Sequence, residues 1–267
     1  MAPDVLPRSA GEDIFGIDAW GYHQARLGYP DALIDHVFGY VGIGTPEVVE
    51  IGPGTGLATG LLLDAGARTL TAIEPDRKLG ALLRRNIADP RLTLVQSGFL
   101  DAPLAPAAFD LAAAACSFHW VDPDRGYAKA RDVIRPGGAV ALWWHSYRNP
   151  RHDAFFAALA GSLRNIALPP SEGSAGYLYL DEARQRDLLL SHGFADVDHQ
   201  LYRSERTLTA HEMRALYASF SFVRILAADA RERLLDRIAN LVETQFAGRA
   251  PNVVLTPLYL ARRPVDE

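Results

Sequence analysis

From Val48 to Gly56 an apolar run ends in glycines at every second position, Gly52, Gly54 and Gly56, and an apolar helical pattern starts at once at Leu57. A strand that turns sharply into a helix through such a loop opens a βαβ unit, and it commits the chain to an open α/β sheet. The alternation continues downstream. Periodicity predicts strands at Glu47–Ile51, Thr69–Ile73, Leu92–Gln96, Phe109–Ala114 and Gly138–Trp144, with helices at Leu57–Asp64, Arg77–Ile87 and Pro123–Ile134. Most of these strands are near-continuous apolar runs, as parallel strands covered on both faces must be. Asp76 and the pair Asp122-Pro123 supply helix starts, and Pro136-Gly137-Gly138 is expected to end the third helix.

The flanks read differently. Phe15 to Pro30 is polar, aromatic and interrupted by Gly16, Gly21 and Gly28, too glycine-rich in its first half to predict a helix, and Asp31–Gly39 follows as a helix. Beyond the alternating region, helices are expected at Asp153–Asn165, Leu180–His192, Ala210–Phe220 and Asp229–Phe246, with extended stretches at Val197–Thr207 and Asn252–Ala261. The last of these reads as a terminal strand returning to the sheet, and Pro169–Gly176 reads as a loop. The expected organisation is an N-terminal lid and helix over 1–40, a doubly wound, Rossmann-like core over 41–150, and a helical cap with sheet-completing strands over 151–267.

The glycine loop brings backbone close to whatever lies at the carboxyl edge of the sheet, where open α/β sheets bind ligands. Glu74 ends the second strand 22 residues beyond Gly52. A carboxylate there can accept both vicinal hydroxyl protons of a ribose, so loop and carboxylate together indicate a nucleoside. Composition narrows the partners. With 27 basic and 32 acidic residues the formal charge is −5, unsuited to a phosphate backbone, so no nucleic acid is expected. Cys116 is the single cysteine, which excludes an internal disulfide and any multi-cysteine metal site. No apolar run approaches a membrane span and Met1–Ala10 lacks an apolar core, so a cytoplasmic protein without a membrane partner or metal is expected.

The loop spacing is G-x-G-x-G with Glu50 just ahead of it, not the G-x-G-x-x-G of dinucleotide sites, which disfavours a nicotinamide oxidoreductase. Here the chain resembles the class I S-adenosylmethionine-dependent methyltransferases. The likeness runs on in order through Glu74, Phe109-Asp110 and Ile134 to Gly138, covering about residues 45–145. Ser117 to Asp122 also resembles the F-H-W-x-D segment of the subset related to trans-aconitate methyltransferase, whose substrates are small molecules. The resemblance implies S-adenosylmethionine as cofactor and S-adenosylhomocysteine as product. It places Glu50, Gly52, Gly54 and Gly56 about the methionine part, Glu74 on the ribose, and Gly98 and Phe99 beside the adenine. Many relatives carry an acidic residue where Gly98 stands, so Phe99 packing or Asp101 must substitute.

Ser117, His119 and Trp120 follow the fourth strand at the edge where the methyl group would lie, and Trp144 ends the fifth, its neighbour Trp143 facing the other way. Tyr22, His23 and Tyr29 read either as an aromatic lid that touches substrate or as packing. His119 is expected either to act as general base for a hydroxyl or to orient the acceptor, with His145 as its substitute. The expected activity is transfer of a methyl group to a small molecule, most simply to a hydroxyl or carboxylate oxygen, with carbon and nitrogen as further acceptors and a homodimer as one admissible assembly. The alternatives are an S-adenosylmethionine-binding enzyme catalysing a rearrangement or elimination, and a non-catalytic cofactor-binding subunit.

Overall fold

The computed structural model describes residues 5–147, 153–163, 166–167, 169–173 and 176–265. The end of the helix expected to Asn165 and the middle of the Pro169–Gly176 loop lie outside these residues.

Five strands and their crossovers form the centre of a seven-stranded sheet: β1 (Glu47–Ile51), β2 (Thr69–Ile73), β3 (Leu92–Val95), β4 (Phe109–Ala115) and β5 (Ile134–Trp143). These five pair in parallel in the order β3-β2-β1-β4-β5. The short pair β6 (Glu172–Gly173) and β7 (Gly176–Tyr177) stands apart, and β8 (Ala195–Thr209) and β9 (Arg249–Arg262) complete the sheet beyond β5 in the order β9-β8. β9 runs antiparallel to β5, with Ala141 opposite Leu260. The expected doubly wound α/β fold is the observed one.

The helices are α1 (Ala19–Ala25), α2 (Asp31–Val41), α3 (Leu57–Asp64), α4 (Arg77–Asn86), α5 (Pro123–Val133), α6 (Ala154–Leu159), α7 (Glu182–Ser191), α8 (Ala210–Ala218), α9 (Ser221–Arg224) and α10 (Ala228–Gln245). Asp76 caps α4, its Oδ1 accepting from the amides of Lys78 at 2.7 Å and Leu79 at 3.2 Å. Asp122 caps α5 through Arg125 N at 3.0 Å, and Pro123 occupies the first turn. Each such cap contributes about 1 kcal/mol.

Two local expectations are corrected. Pro136-Gly137-Gly138 does not end α5, because the chain is already extended at Ile134. The triplet instead lies inside β5, where the β4–β5 register shifts between Phe109 and Leu111 and a Cβ on Gly138 would stand 2.8 Å from Asp110 O. The stretch whose first half is too glycine-rich to predict a helix contains α1. Asp18 caps it by accepting from Gly21 N at 2.9 Å, and a Cβ on Gly21 would lie 2.1 Å from the same carboxylate, so glycine here makes room for the cap.

The described chain divides into two compact units that differ from the expected three regions. The sheet unit comprises 28–144, 179–202 and 257–267, and so takes in α2 and α7. Its core is built from Leu33, Val37, Leu62, Leu70, Leu83, Leu111, Trp143 and Leu260, each essentially sealed from solvent and contributing about 1.5–3 kcal/mol by burial. The helical unit comprises 1–27, 145–178 and 203–256, and packs Phe155, Met213, Tyr217, Val223, Ile238 and Val242 together. Among the described residues no helix is long and apolar enough to cross a membrane.

Candidate active site

The site in the sheet unit starts where β1 ends. Gly52 takes φ +65° and donates from its amide to Ile73 O at 2.9 Å, tying the loop to β2. A Cβ there would stand 2.6 Å from Ser117 Cβ, and Ser117 Oγ in turn donates to Ile51 O. Gly54 also has a left-handed backbone, at φ +60°, yet a Cβ on it would meet nothing within 4 Å. The loop is therefore packed against Ser117 on one side and open at its tip, and α3 follows directly from Gly56.

Two buried carboxylates flank that opening. Glu74 accepts from Gly54 N and from Asp76 N, both at 2.9 Å, one through each oxygen. Burial pushes its carboxyl up to about 7, against the pull of those two amides. Glu50 is fully buried and accepts from Thr59 Oγ1 at 2.7 Å, while its other oxygen, Oε1, has no partner. Burial raises it also to about 7, with the charge of Glu74 adding to the rise and the Thr59 hydrogen bond opposing it. Two carboxylates held near their ionisation point and one orphaned carboxylate oxygen are groups that a cation would stabilise. With an open glycine tip beside them, they fit a cationic nucleoside such as S-adenosylmethionine, and the structure brings Glu50, Gly52, Gly54, Gly56 and Glu74 together.

After β3, Gly98 is half-buried and Phe99 buried. Asp101 Oδ2 lies 3.7 Å from where a Cβ on Gly98 would stand, which puts a carboxylate beside that position. Lys129 holds the turn, donating to Leu100 O at 3.0 Å and Ala102 O at 2.6 Å with its ammonium 5.4 Å from the Phe99 ring centre.

A single short turn, Phe118–Trp120, carries His119 and Trp120 just beyond Ser117. The Trp144 indole donates from Nε1 to His119 Nδ1 at 3.2 Å, and its ring stacks on Tyr179 at 5.1 Å with 4° between the planes. Tyr259 meets Trp144 edge-on at 6.4 Å and donates to Tyr179 O at 2.8 Å. Trp143 faces the opposite side of the sheet, where it packs edge-on against Tyr29 at 5.7 Å, which puts Tyr29 on the core. The other candidates belong to the helical unit. Tyr22 packs edge-on against Phe15 with the Arg26 guanidinium 4.9 Å above it, and His23 stacks on Trp20 at 5.9 Å. His145 is buried, its Nδ1 2.8 Å from Thr256 Oγ1. Thr59 and Tyr179 escaped the sequence reading. Thr59 is marked only as a polar residue in an apolar helix, and Tyr179 carries no motif.

Residues 49–142 match the family described as the methyltransferase domain. An uncharacterized methyltransferase of Mycobacterium tuberculosis is 27% identical over 243 residues, 91% of each chain. Among solved structures, a candidate type II methyltransferase from Anaeromyxobacter dehalogenans superposes with TM-score 0.67 at 23% identity, covering 90% of this chain and 99% of its own. A phosphoethanolamine N-methyltransferase of Haemonchus contortus, in complex with phosphomonomethylethanolamine and S-adenosylhomocysteine, superposes with TM-score 0.56 at 12% identity over 93% of this chain and 57% of its own. Family match and relatives converge: the chain carries a methyltransferase domain over residues 49–142 and is an S-adenosylmethionine-dependent methyltransferase.

Proposed function

We propose that the enzyme methylates an oxygen of a small molecule, and that a carboxylate is the acceptor its site suits best. The hydrogen bond from Trp144 to His119 carries this reading. An indole N–H only donates, so Nδ1 of His119 must accept, and the neutral imidazole then keeps its proton on Nε2. His119 thus offers a donor to the substrate. A hydroxyl acceptor would want a base at that nitrogen, whereas a carboxylate wants a donor and has no proton to lose. When bound, S-adenosylmethionine supplies a methyl group on a sulfonium, whose bond to sulfur breaks as the acceptor's lone pair closes on the carbon, leaving a methyl ester and S-adenosylhomocysteine.

The protein's own contribution is then to position and dehydrate the reactants. Glu74 would hold the ribose hydroxyls, Gly52, Gly54 and Gly56 the methionine part, and Glu50 would compensate the cation from below. Phe99 would pack on the adenine with Gly98, and Asp101 would accept from its amino group. Ser117, Trp120 and Trp144 would shape the acceptor pocket around His119. The likeness of Ser117 to Asp122 to the trans-aconitate subset supports a small molecule as acceptor, and the net charge of −5 disfavours nucleic acid.

Methyl-labelled S-adenosylmethionine incubated with a panel of carboxylic acids, phenols and amines tests the reading. The expected product is base-labile, formed one-for-one with S-adenosylhomocysteine. An alkali-stable product would make the acceptor something other than a carboxylate, and turnover without S-adenosylhomocysteine would point to rearrangement or elimination.

A further inference from the structure

At the amino ends of β4 and β5, the sheet edge opposite the Gly52–Gly56 loop, the sheet unit contains a cavity of about 540 Å³. It opens between the last turn of α5, the end of α7 and the chain leaving β9, and its volume suits a small molecule. Arg131, Arg263 and His192 line it, with Asp132 as the only carboxylate among its lining residues.

The two arginines are held differently. Arg263 is fixed: its Nη1 donates to the carbonyls of Arg131 at 2.9 Å, Asp132 at 3.1 Å and Ile134 at 2.8 Å, closing the end of α5, while its buried Nε has no acceptor. Arg131 is exposed and, among the described residues, makes no side-chain hydrogen bond or ion pair, not even with Asp132. Its guanidinium lies against Gly193, where a Cβ would stand 3.2 Å from Nε and 3.3 Å from Cζ. Gly193, with a left-handed backbone at φ +79° and no Cβ, thus makes the seat for this guanidinium. His192 is anchored across from it, Nδ1 2.7 Å from Leu188 O and Nε2 3.3 Å from Asp124 Oδ1.

A seated guanidinium that makes no ion pair among the described residues, backed by a second and rigid one, is a receptor for an anion, and guanidinium geometry favours phosphate. We infer that this cavity is a second binding site, distinct from the methyl-transfer site, for a small molecule bearing a phosphate group. Arg131 grips the phosphate and Arg263 supplies the fixed positive charge behind it.

Calorimetric titration of the full chain with inorganic phosphate, at constant ionic strength and with S-adenosylhomocysteine saturating the transfer site, tests this. The expected result is saturable binding to one site, weakened by about tenfold or more in Arg131→Glu and Arg131→Gln. Both substitutions fall on an exposed helical position with no side-chain hydrogen bond or ion pair among the described residues, and unchanged melting temperatures would verify their folding. Absence of saturable binding, equal binding by the variants, or equal affinity for acetate would overturn the assignment.

Discussion

Trp144 donates to His119 across 25 positions of sequence, from the end of β5 to the turn after β4, and the bond decides which imidazole nitrogen carries the proton. The same indole lies flat on Tyr179, so the donor is held in place by stacking and not by the hydrogen bond alone.

His119→Gln keeps a side-chain N–H donor and no base. If His119 orients the acceptor, the Gln variant should retain kcat/KM within about tenfold of the parent and exceed His119→Ala, with most of the loss in KM. A general base would cost about 10²–10⁴-fold in both variants. Trp144→Phe, which preserves the stack on Tyr179, should reduce kcat/KM and leave the affinity for S-adenosylhomocysteine unchanged by calorimetry.

The raised carboxyls of Glu50 and Glu74 give cofactor binding a pH dependence. A carboxyl whose folded value sits near 7 instead of 4.5 favours its protonated form in the native chain, so its contribution to ligand-free stability falls as pH rises through that interval. Ionised carboxylates favour a cation, so affinity for S-adenosylmethionine should rise from about pH 5 to pH 8, with proton release detectable by calorimetry in buffers of different ionisation heat. Glu50→Gln should raise the melting temperature at about pH 8 while weakening cofactor binding and flattening its pH profile. A flat profile in the parent would remove these groups from the site.

Gly52→Ala and Gly54→Ala should separate folding from binding. At Gly52 the new methyl would strike Ser117 at 2.6 Å in a left-handed backbone, costing about 2–5 kcal/mol in denaturant unfolding. At Gly54 no protein atom lies within 4 Å, so only the backbone cost of about 1–2 kcal/mol remains, while the methyl occupies space beside Glu74 and cofactor affinity falls. Glu74→Ala should weaken that affinity by about 1.5–3 kcal/mol. Unaltered affinity in both Gly54→Ala and Glu74→Ala would place the cofactor elsewhere.

Within the helical unit, Arg224 is buried and spends its guanidinium on backbone carbonyls: Ile14 at 3.2 Å and Phe15 at 2.8 Å through Nη1, Asp18 at 3.0 Å through Nη2, and Ala218 at 3.2 Å through Nε. Burial lowers its pKa, with the Asp18 charge acting against that shift. The first part of the glycine-rich segment is therefore tethered by one side chain. Arg224→Met leaves those carbonyls without a donor and should accelerate hydrogen exchange over 14–22 far more than over α10, with a stability loss of about 2–4 kcal/mol.

By itself the sequence determined the elements whose causes are local. β1 and β2 and the helix α3 stand at their expected bounds, and α4 and α5 within a residue of theirs, because apolar periodicity, Asp76, Asp122 and Pro123 act within a turn or two of where they stand. The glycine loop and Glu74 were legible for the same reason, since their spacing records one crossover. Whatever depends on long separation was not. Only the tertiary structure joins Thr59 to Glu50, brings Tyr179 under Trp144, turns His119 into a donor and places α2 and α7 with the sheet. It also opens β5 at Ile134, where pairing with β4 and the strap through Arg263 outweigh the local disruption by Pro136 and Gly137. Periodicity sees neighbours along the chain. Burial, proton placement and the seating of Arg131 against Gly193 arise between segments far apart in sequence, and packing alone decides them.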